Sequence, residues 1–152
     1  MLTMNQTCEN AKELLSGIVR DAGFDLSVAA EWTDEGCILN LSGEDTHFAL
    51  AEKGELLDAF EVVLFQAMGR ELEREHRFIV DADGFRQTRK NELHAMARFA
   101  AEQVRKTGRS FTFGVLNSTE RRIIHTTLQK EDDLLTESVG DGRDRRLQVR
   151  LQ

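Results

Sequence analysis

Asn117-Ser118-Thr119-Glu120-Arg121-Arg122-Ile123-Ile124-His125-Thr126-Thr127-Leu128 is the most informative segment of this chain. Asn117 or Ser118 is a natural N-cap, and the pattern predicts a helix running to about residue 130. Residues four apart on a helix share a face, so Arg121 and His125 are neighbours. Ile123 and Thr127 lie nearly opposite, with Ile124 beside them, and are expected to face the core. Leu128 falls back toward the Arg121 side, as a frayed last turn or a second contact would. A guanidinium is a planar fork of donors that suits phosphate oxygens. An imidazole one turn away adds a donor or stacks on a base. The backbone N–H groups of residues 117–120 are also expected to be open to an anion.

Working outward, residues 110–115 alternate Phe111 and Phe113 and read as a short strand. Before it, residues 85–106 place Leu93, Met96, Ala97, Ala100 and Val104 on one helical face, with Arg98 and Arg105 off it. Gly108 ends that helix. Residues 134–139 and 147–151 read as two strands around Gly140-Asp141-Gly142, completing a β-α-β-β unit behind its leading helix. In the first half, a helix is expected from an N-cap at Asn10, with Glu13 placed for a capping box and Ala11, Leu14, Leu15, Ile18 and Val19 inward. Strands at 25–32 and 37–41 flank the turn Thr33-Asp34-Glu35-Gly36. A short apolar turn, His47-Phe48-Ala49-Leu50, leads through Ala51-Glu52-Lys53-Gly54 into a helix with the stripe Leu56, Phe60, Val63, Leu64, Ala67 and Met68. A strand at 77–81 follows. The expected fold is therefore α+β, in two small domains at 10–82 and 83–152.

The net charge of −7 argues against nucleic acid, but its distribution argues for it. Residues 1–75 hold 5 Lys/Arg against 16 Asp/Glu, whereas residues 76–152 hold 15 against 11. Within 84–130 the balance is 10 basic to 3 acidic. An acidic front and a basic central block form the asymmetry expected of a nucleic-acid surface. No run approaches the roughly 20 apolar residues of a membrane helix. The first ten residues lack the basic start and apolar core of a signal peptide, so a cytoplasmic location is expected. Cys8 and Cys37 have no metal-site spacing and are expected to be separate free thiols.

With its flanks, the Arg121/His125 helix resembles the domain named for its Arg-x-x-x-His motif, written R-3-H, a single-stranded nucleic-acid-binding module. Lys106-Thr107-Gly108-Arg109 resembles that family's entry turn, and Gly140-Asp141-Gly142 with Arg145-Arg146 its closing hairpin. The family usually has proline near the position of Ser118. The resemblance implies a binding surface of Arg121, His125, Arg122, Arg109, Arg145 and Arg146.

The order α-β-β-α-α-β of the first half is that of a bacterial-type KH domain, in which a Gly-x-x-Gly loop clamps a nucleic-acid backbone. A KH domain joined by a long helix to an R-3-H domain resembles the bacterial Jag family, also called KhpB or SpoIIIJ-associated. Gly54-Glu55-Leu56-Leu57-Asp58-Ala59-Phe60 and Asp81-Ala82-Asp83-Gly84-Phe85-Arg86 carry that likeness. Jag proteins commonly add an N-terminal domain and charged linker, which this chain is expected to lack. The loop is altered: Ala51 stands at the first Gly, and Glu52 at a position that is usually basic. A methyl group and a carboxylate there oppose a phosphate, leaving Lys53 and Gly54 as the favourable part.

His76, near Glu73 and Glu75, is expected to be solvated, as are His94 and His47. Trp32 is expected to pack on its sheet. No nucleophile, base and orienter assemble, and no metal or cofactor motif is present. The expected function is a non-enzymatic single-stranded RNA- or DNA-binding protein, a bacterial post-transcriptional regulator, without a membrane span. The alternative is a protein-interaction module working through the acidic half.

Overall fold

A computed structural model describes residues 3–152. The chain is α+β and divides into two compact units, Met1–Arg86 and Gln87–Gln152.

The first unit opens with α1 (Met4–Asp21), seven residues before the expected start. Thr3 is the N-cap, and its hydroxyl and the Gln6 side chain form a reciprocal capping box. The Gln6 partner outcompetes Asn10, whose surroundings are already helical. The buried face is Thr7, Cys8, Ala11, Leu15 and Val19.

Strands β1 (Ser27–Thr33) and β2 (Gly36–Ser42) form the hairpin, and β3 (Arg77–Ala82) runs parallel to β2, giving the order β1-β2-β3. Gly36 is fixed by this pairing, since a Cβ there would lie 2.1 Å from the Arg77 carbonyl oxygen. As the central strand, β2 buries Cys37, Leu39 and Leu41 against the helices. The outer edge of β3 is capped at Val80. Val80 N–H donates to Glu61 at 2.8 Å, and Arg86 Nε donates to the Val80 carbonyl at 3.1 Å. Arg86 in turn grips Asp58 and Glu61, closing an edge that would otherwise template foreign strands.

Helix α2 (Thr46–Met68) is broken at residues 51–54, where the backbone leaves helical geometry. It buries Leu57, Phe60 and Leu64, while Leu56 and Met68 are half-buried. Val63 and Ala67 are exposed rather than inward, because the core-facing stripe starts at Leu57.

Cys8 and Cys37 form a disulfide, correcting the expectation of two free thiols. Helix α1 lies over the sheet and brings its second turn onto the start of β2, a juxtaposition that 29 residues of sequence separation conceal. His76 is likewise half-buried rather than solvated. Its ring packs edge-on to Trp32 with centroids 4.8 Å apart, and its Nδ1 is buried without a hydrogen-bond partner.

The second unit contains most of α3 (Phe85–Thr107), then β4 (Phe111–Thr112), α4 (Ser118–Leu128), β5 (Leu134–Val139) and β6 (Arg146–Leu151). The sheet is antiparallel, with order β4-β6-β5. Its core joins Leu93, Ala97, Ala100 and Val104 of α3 to Phe113, Ile124, Leu128, Leu147 and Val149. His94 is half-buried, and His47 in the first unit is exposed. No helix among the described residues is long and apolar enough to cross a membrane.

Candidate nucleic-acid interface

Helix α4 is held by its first turn. The Asn117 side chain accepts from Glu120 N–H at 2.8 Å, and Glu120 Oε1 accepts from Asn117 N–H at 3.2 Å. Glu120 is 6% exposed, and its other oxygen accepts from Arg89 Nε at 2.5 Å. Burial works against the Arg89 charge, but hydrogen bonds to Glu120 and Glu92 outweigh it and raise the guanidinium above its usual value. The helix start therefore already holds a carboxylate of its own, which corrects its reading as an open anion site.

The buried stripe of α4 is Glu120, Ile124 and Leu128, with Ile123 and Thr127 half-buried beside it. Leu128 is 2% exposed and belongs to the core, neither frayed nor a surface contact. Because the stripe runs through Ile124, Arg121 sits at its border and is half-buried. Its Nη1 donates to the Leu116 carbonyl at 2.7 Å. Arg122 and His125 are exposed. His125 Nδ1 is hydrogen-bonded to Thr136 Oγ1 on β5, which orients the ring and leaves Nε2 for another partner.

The other expected contacts are dispersed. Arg109 is exposed on the turn before β4. Arg145 follows the 3-10 turn Gly142–Asp144 in the closing hairpin, and its Nη1 lies 3.5 Å from the Gly140 carbonyl. Arg146 pairs with Val139 on β5. Side chains alternate faces along a strand, so Arg146 leaves the sheet on the side opposite Thr136 and Val149. The structure thus groups Arg121, Arg122 and His125 on one helix, and sets Arg146 on another surface.

Sequence reasoning missed Thr136, which had no signal of its own. It also missed the Arg89–Glu120 tie, although Asn117-x-x-Glu120 has capping-box spacing.

The carboxylates of the second unit are concentrated on few cations. Arg89 takes Glu92 and Glu120, Arg105 takes Glu131 and Asp133, and Arg150 takes Glu137. Hydrogen bonding to Asp133 raises the Arg105 guanidinium, and the same contact holds the Asp133 carboxyl below its usual range. Among the described residues, Arg98, Arg109, Arg121, Arg122, Arg145 and Arg146 have no carboxylate within ion-pair distance.

In the first unit, the break in α2 forms a loop. Ala51 has extended backbone (φ −61°, ψ 154°), while Glu52, Lys53 and Gly54 are left-handed at φ 52°, 58° and 76°. Left-handed geometry costs a non-glycine residue about 1–2 kcal/mol, so the loop holds two strained positions. Gly54 is buried under Phe85, whose ring would lie 2.6 Å from a Cβ. Glu52 and Lys53 are exposed. Elsewhere in this unit, ligand atoms of Glu73, Glu75 and His76 lie within 4.8 Å of one another.

The chain is similar to two curated proteins. It is 29% identical to the RNA-binding protein KhpB of Clostridium symbiosum over 84% of its own length and 58% of that protein. It is 29% identical to the RNA-binding protein KhpB of Bacillus subtilis (strain 168) over 93% of its length and 69% of that protein. Residues 91–151, nearly all of the second unit, match the family described as the R-3-H domain.

Proposed function

We propose that this chain is a non-enzymatic protein that binds single-stranded RNA through the exposed face of α4, acting as a post-transcriptional regulator in the bacterial cytoplasm. Arg122 and His125 provide the central contacts. Arg121 lies at the edge of that face, Arg109 and Arg145 extend the positive field around it, and Arg146 lies on the opposite face of the sheet. The observation that carries this reading is the exposed Arg122/His125 face within a unit whose cations mostly lack carboxylate partners. The R-3-H domain match and the two RNA-binding relatives support it. The guanidinium groups take phosphate oxygens, and His125, steered by Thr136, donates to or stacks on a base.

The first unit is read as a KH-like domain that adds little affinity, since its loop presents Glu52 within a strongly acidic surface. A protein partner would meet this unit on α2, where Val62, Val63 and Phe65 are exposed.

The test is a salt titration of binding to single-stranded RNA and DNA of equal length. Arg122→Ala removes a side chain with no structural partner among the described residues. It should weaken binding at every sequence and reduce the salt slope by about 1. Failure of the parent to bind at low salt, or an unchanged slope in the variant, rejects the assignment.

A further inference from the structure

The sheet of the first unit treats its two edges differently. The edge of β3 is capped at Val80 by Glu61 and Arg86. The other outer strand is β1. It pairs with β2 in unbroken antiparallel register from Ser27↔Ser42 to Thr33↔Gly36, across the turn Asp34-Glu35. A two-residue turn closes on a pair that exchanges hydrogen bonds, and along the strand such pairs alternate with pairs that do not. Ser27, Ala29, Glu31 and Thr33 therefore bond to β2. Val28, Ala30 and Trp32 direct their N–H and C=O groups away from the sheet, where they meet no hydrogen-bond partner among the described residues.

An open edge is a template for a further strand, and proteins blunt it with lysine, proline or a bulge. β1 is seven residues long, carries neither lysine nor proline, and has no break in register. Its side chains alternate. Val28 is buried and Ala30 and Trp32 pack against the core, while Ala29 and Glu31 are exposed on the other face. Carboxylates stand along the whole edge. Glu31 lies on the strand, Asp34 and Glu35 form its closing turn, and Asp25 lies at its start, where its carbonyl oxygen would be 2.4 Å from a Cβ at Gly43 beyond β2. All four are exposed, and none is in an ion pair among the described residues.

This charge selects the occupant. Pairing all of β1 with a second copy of itself would centre on Ala30 and bring the Asp34-Glu35 turn of each copy to the Asp25 end of the other. Like charges would then meet at both ends. The same carboxylates oppose a nucleic-acid backbone. We propose that the open edge of β1 takes an extended segment of a partner protein that alternates apolar and basic residues. The segment's backbone pairs with Val28, Ala30 and Trp32, and its apolar side chains extend the Val28/Trp32 face. Its Lys or Arg side chains meet Glu31 and the carboxylates at the two ends. This surface is additional to the exposed residues of α2, and it stands whether or not α4 binds RNA.

The test titrates the full chain with a strand-length peptide of alternating Val and Lys. Peptides with Glu for Lys, or Pro for Val, are the controls. Trp32, the sole tryptophan, lies on the edge, so its emission should change as the Val-Lys peptide binds. Amide hydrogen exchange should slow at Val28, Ala30 and Trp32 and stay unchanged at Ala29 and Glu31, which already bond to β2. The Glu peptide should not bind. The Pro peptide has the same charge but fewer donors and should bind far more weakly. Ala30→Pro removes an outward N–H and no bond to β2. It should lower affinity about 5- to 150-fold, the equivalent of one acceptor left unpaired. Glu31→Lys should lower affinity about 2- to 5-fold and flatten its salt dependence. No binding of the Val-Lys peptide at low salt, equal binding of either control, or parent-like affinity in Ala30→Pro overturns the proposal. Exchange that slows without the alternation overturns it in the parent protein, with no reliance on a variant. A dimer of the free chain that Ala30→Pro dissociates, with the three amides already protected, assigns the edge to a second copy and overturns it as well.

Discussion

Replacing Glu120 with alanine should selectively unfold the second unit. Two interactions disappear. The hydrogen bond from Asn117 N–H to Oε1 is worth about 0.5–1.5 kcal/mol. The larger loss is at Arg89, whose side chain is 15% exposed and which donates to Glu120 at 2.5 Å. Stranding one member of a buried pair costs about 3–5 kcal/mol. Glu92, 3.0 Å from Arg89 and largely exposed, offsets part of that. The expected total is about 3–5 kcal/mol, against about 3–10 kcal/mol for a unit of this size. With a urea dependence of about 1 kcal/mol/M, the midpoint should fall by roughly 3 M or the transition should start unfolded. Trp32, the sole tryptophan, lies in the first unit and reports on it alone, while far-ultraviolet circular dichroism follows both units. Glu120→Ala should therefore move the dichroism curve and leave the Trp32 curve in place. Changing both Arg89 and Glu120 to methionine should cost less than losing Glu120 alone, because no stranded charge remains. A midpoint shift below about 1 M, or an equal shift in the Trp32 signal, would refute the reasoning.

Three further outcomes follow from the first unit and the ion pairs. Reducing Cys8–Cys37, which closes a loop of 29 residues, should destabilise the first unit by about 3–4 kcal/mol, read as an earlier Trp32 fluorescence melt in reductant. Gly54→Ala should cost about 2–4 kcal/mol from left-handed backbone and collision with Phe85, read by urea denaturation. The pH response should combine two opposite signs. Asp133, held low by Arg105, contributes stability at neutral pH that is lost as pH falls below about its ordinary 3.8. Glu61 is raised, chiefly by burial, so its ionisation opposes folding above its folded-state value, and that cost is relieved as pH falls toward 4.5. Urea midpoints of Asp133→Asn and Glu61→Gln across about pH 3–7 should show the first variant losing the acid decline and the second losing the opposing rise.

The elements legible in the sequence were those whose signal is local. Helical periodicity gave the α3 stripe, the turn Thr33-Asp34-Glu35-Gly36 gave the hairpin of the first sheet, and Gly108 marked a stop. The α1 start was missed because two cap candidates compete, and Thr3 with Gln6 completes a reciprocal pair that Asn10 does not. Leu128 was misread because the angular centre of a core stripe depends on what packs against it, here Glu120 and Ile124. The disulfide, the His76–Trp32 contact and the Thr136 partner of His125 join residues from different elements, and no single element encodes them. For the candidate site, composition pointed to the basic half and spacing to the Arg121/His125 helix. The opposite face taken by Arg146 follows from strand register, which only the folded sheet supplies.

The order β4-β6-β5 places residues 146–151 in the middle of the second sheet. On a ribosome, β4 and β5 emerge first and have no partner in each other. Neither edge can dock until the segment between them leaves the exit tunnel, so the sheet that carries Thr136 closes only after residues 146–151 have emerged. On the proposed reading of α4, binding competence in the second unit should therefore arrive late and abruptly. A nascent chain stalled before residue 146 would carry the whole Arg121/His125 helix without the sheet behind it.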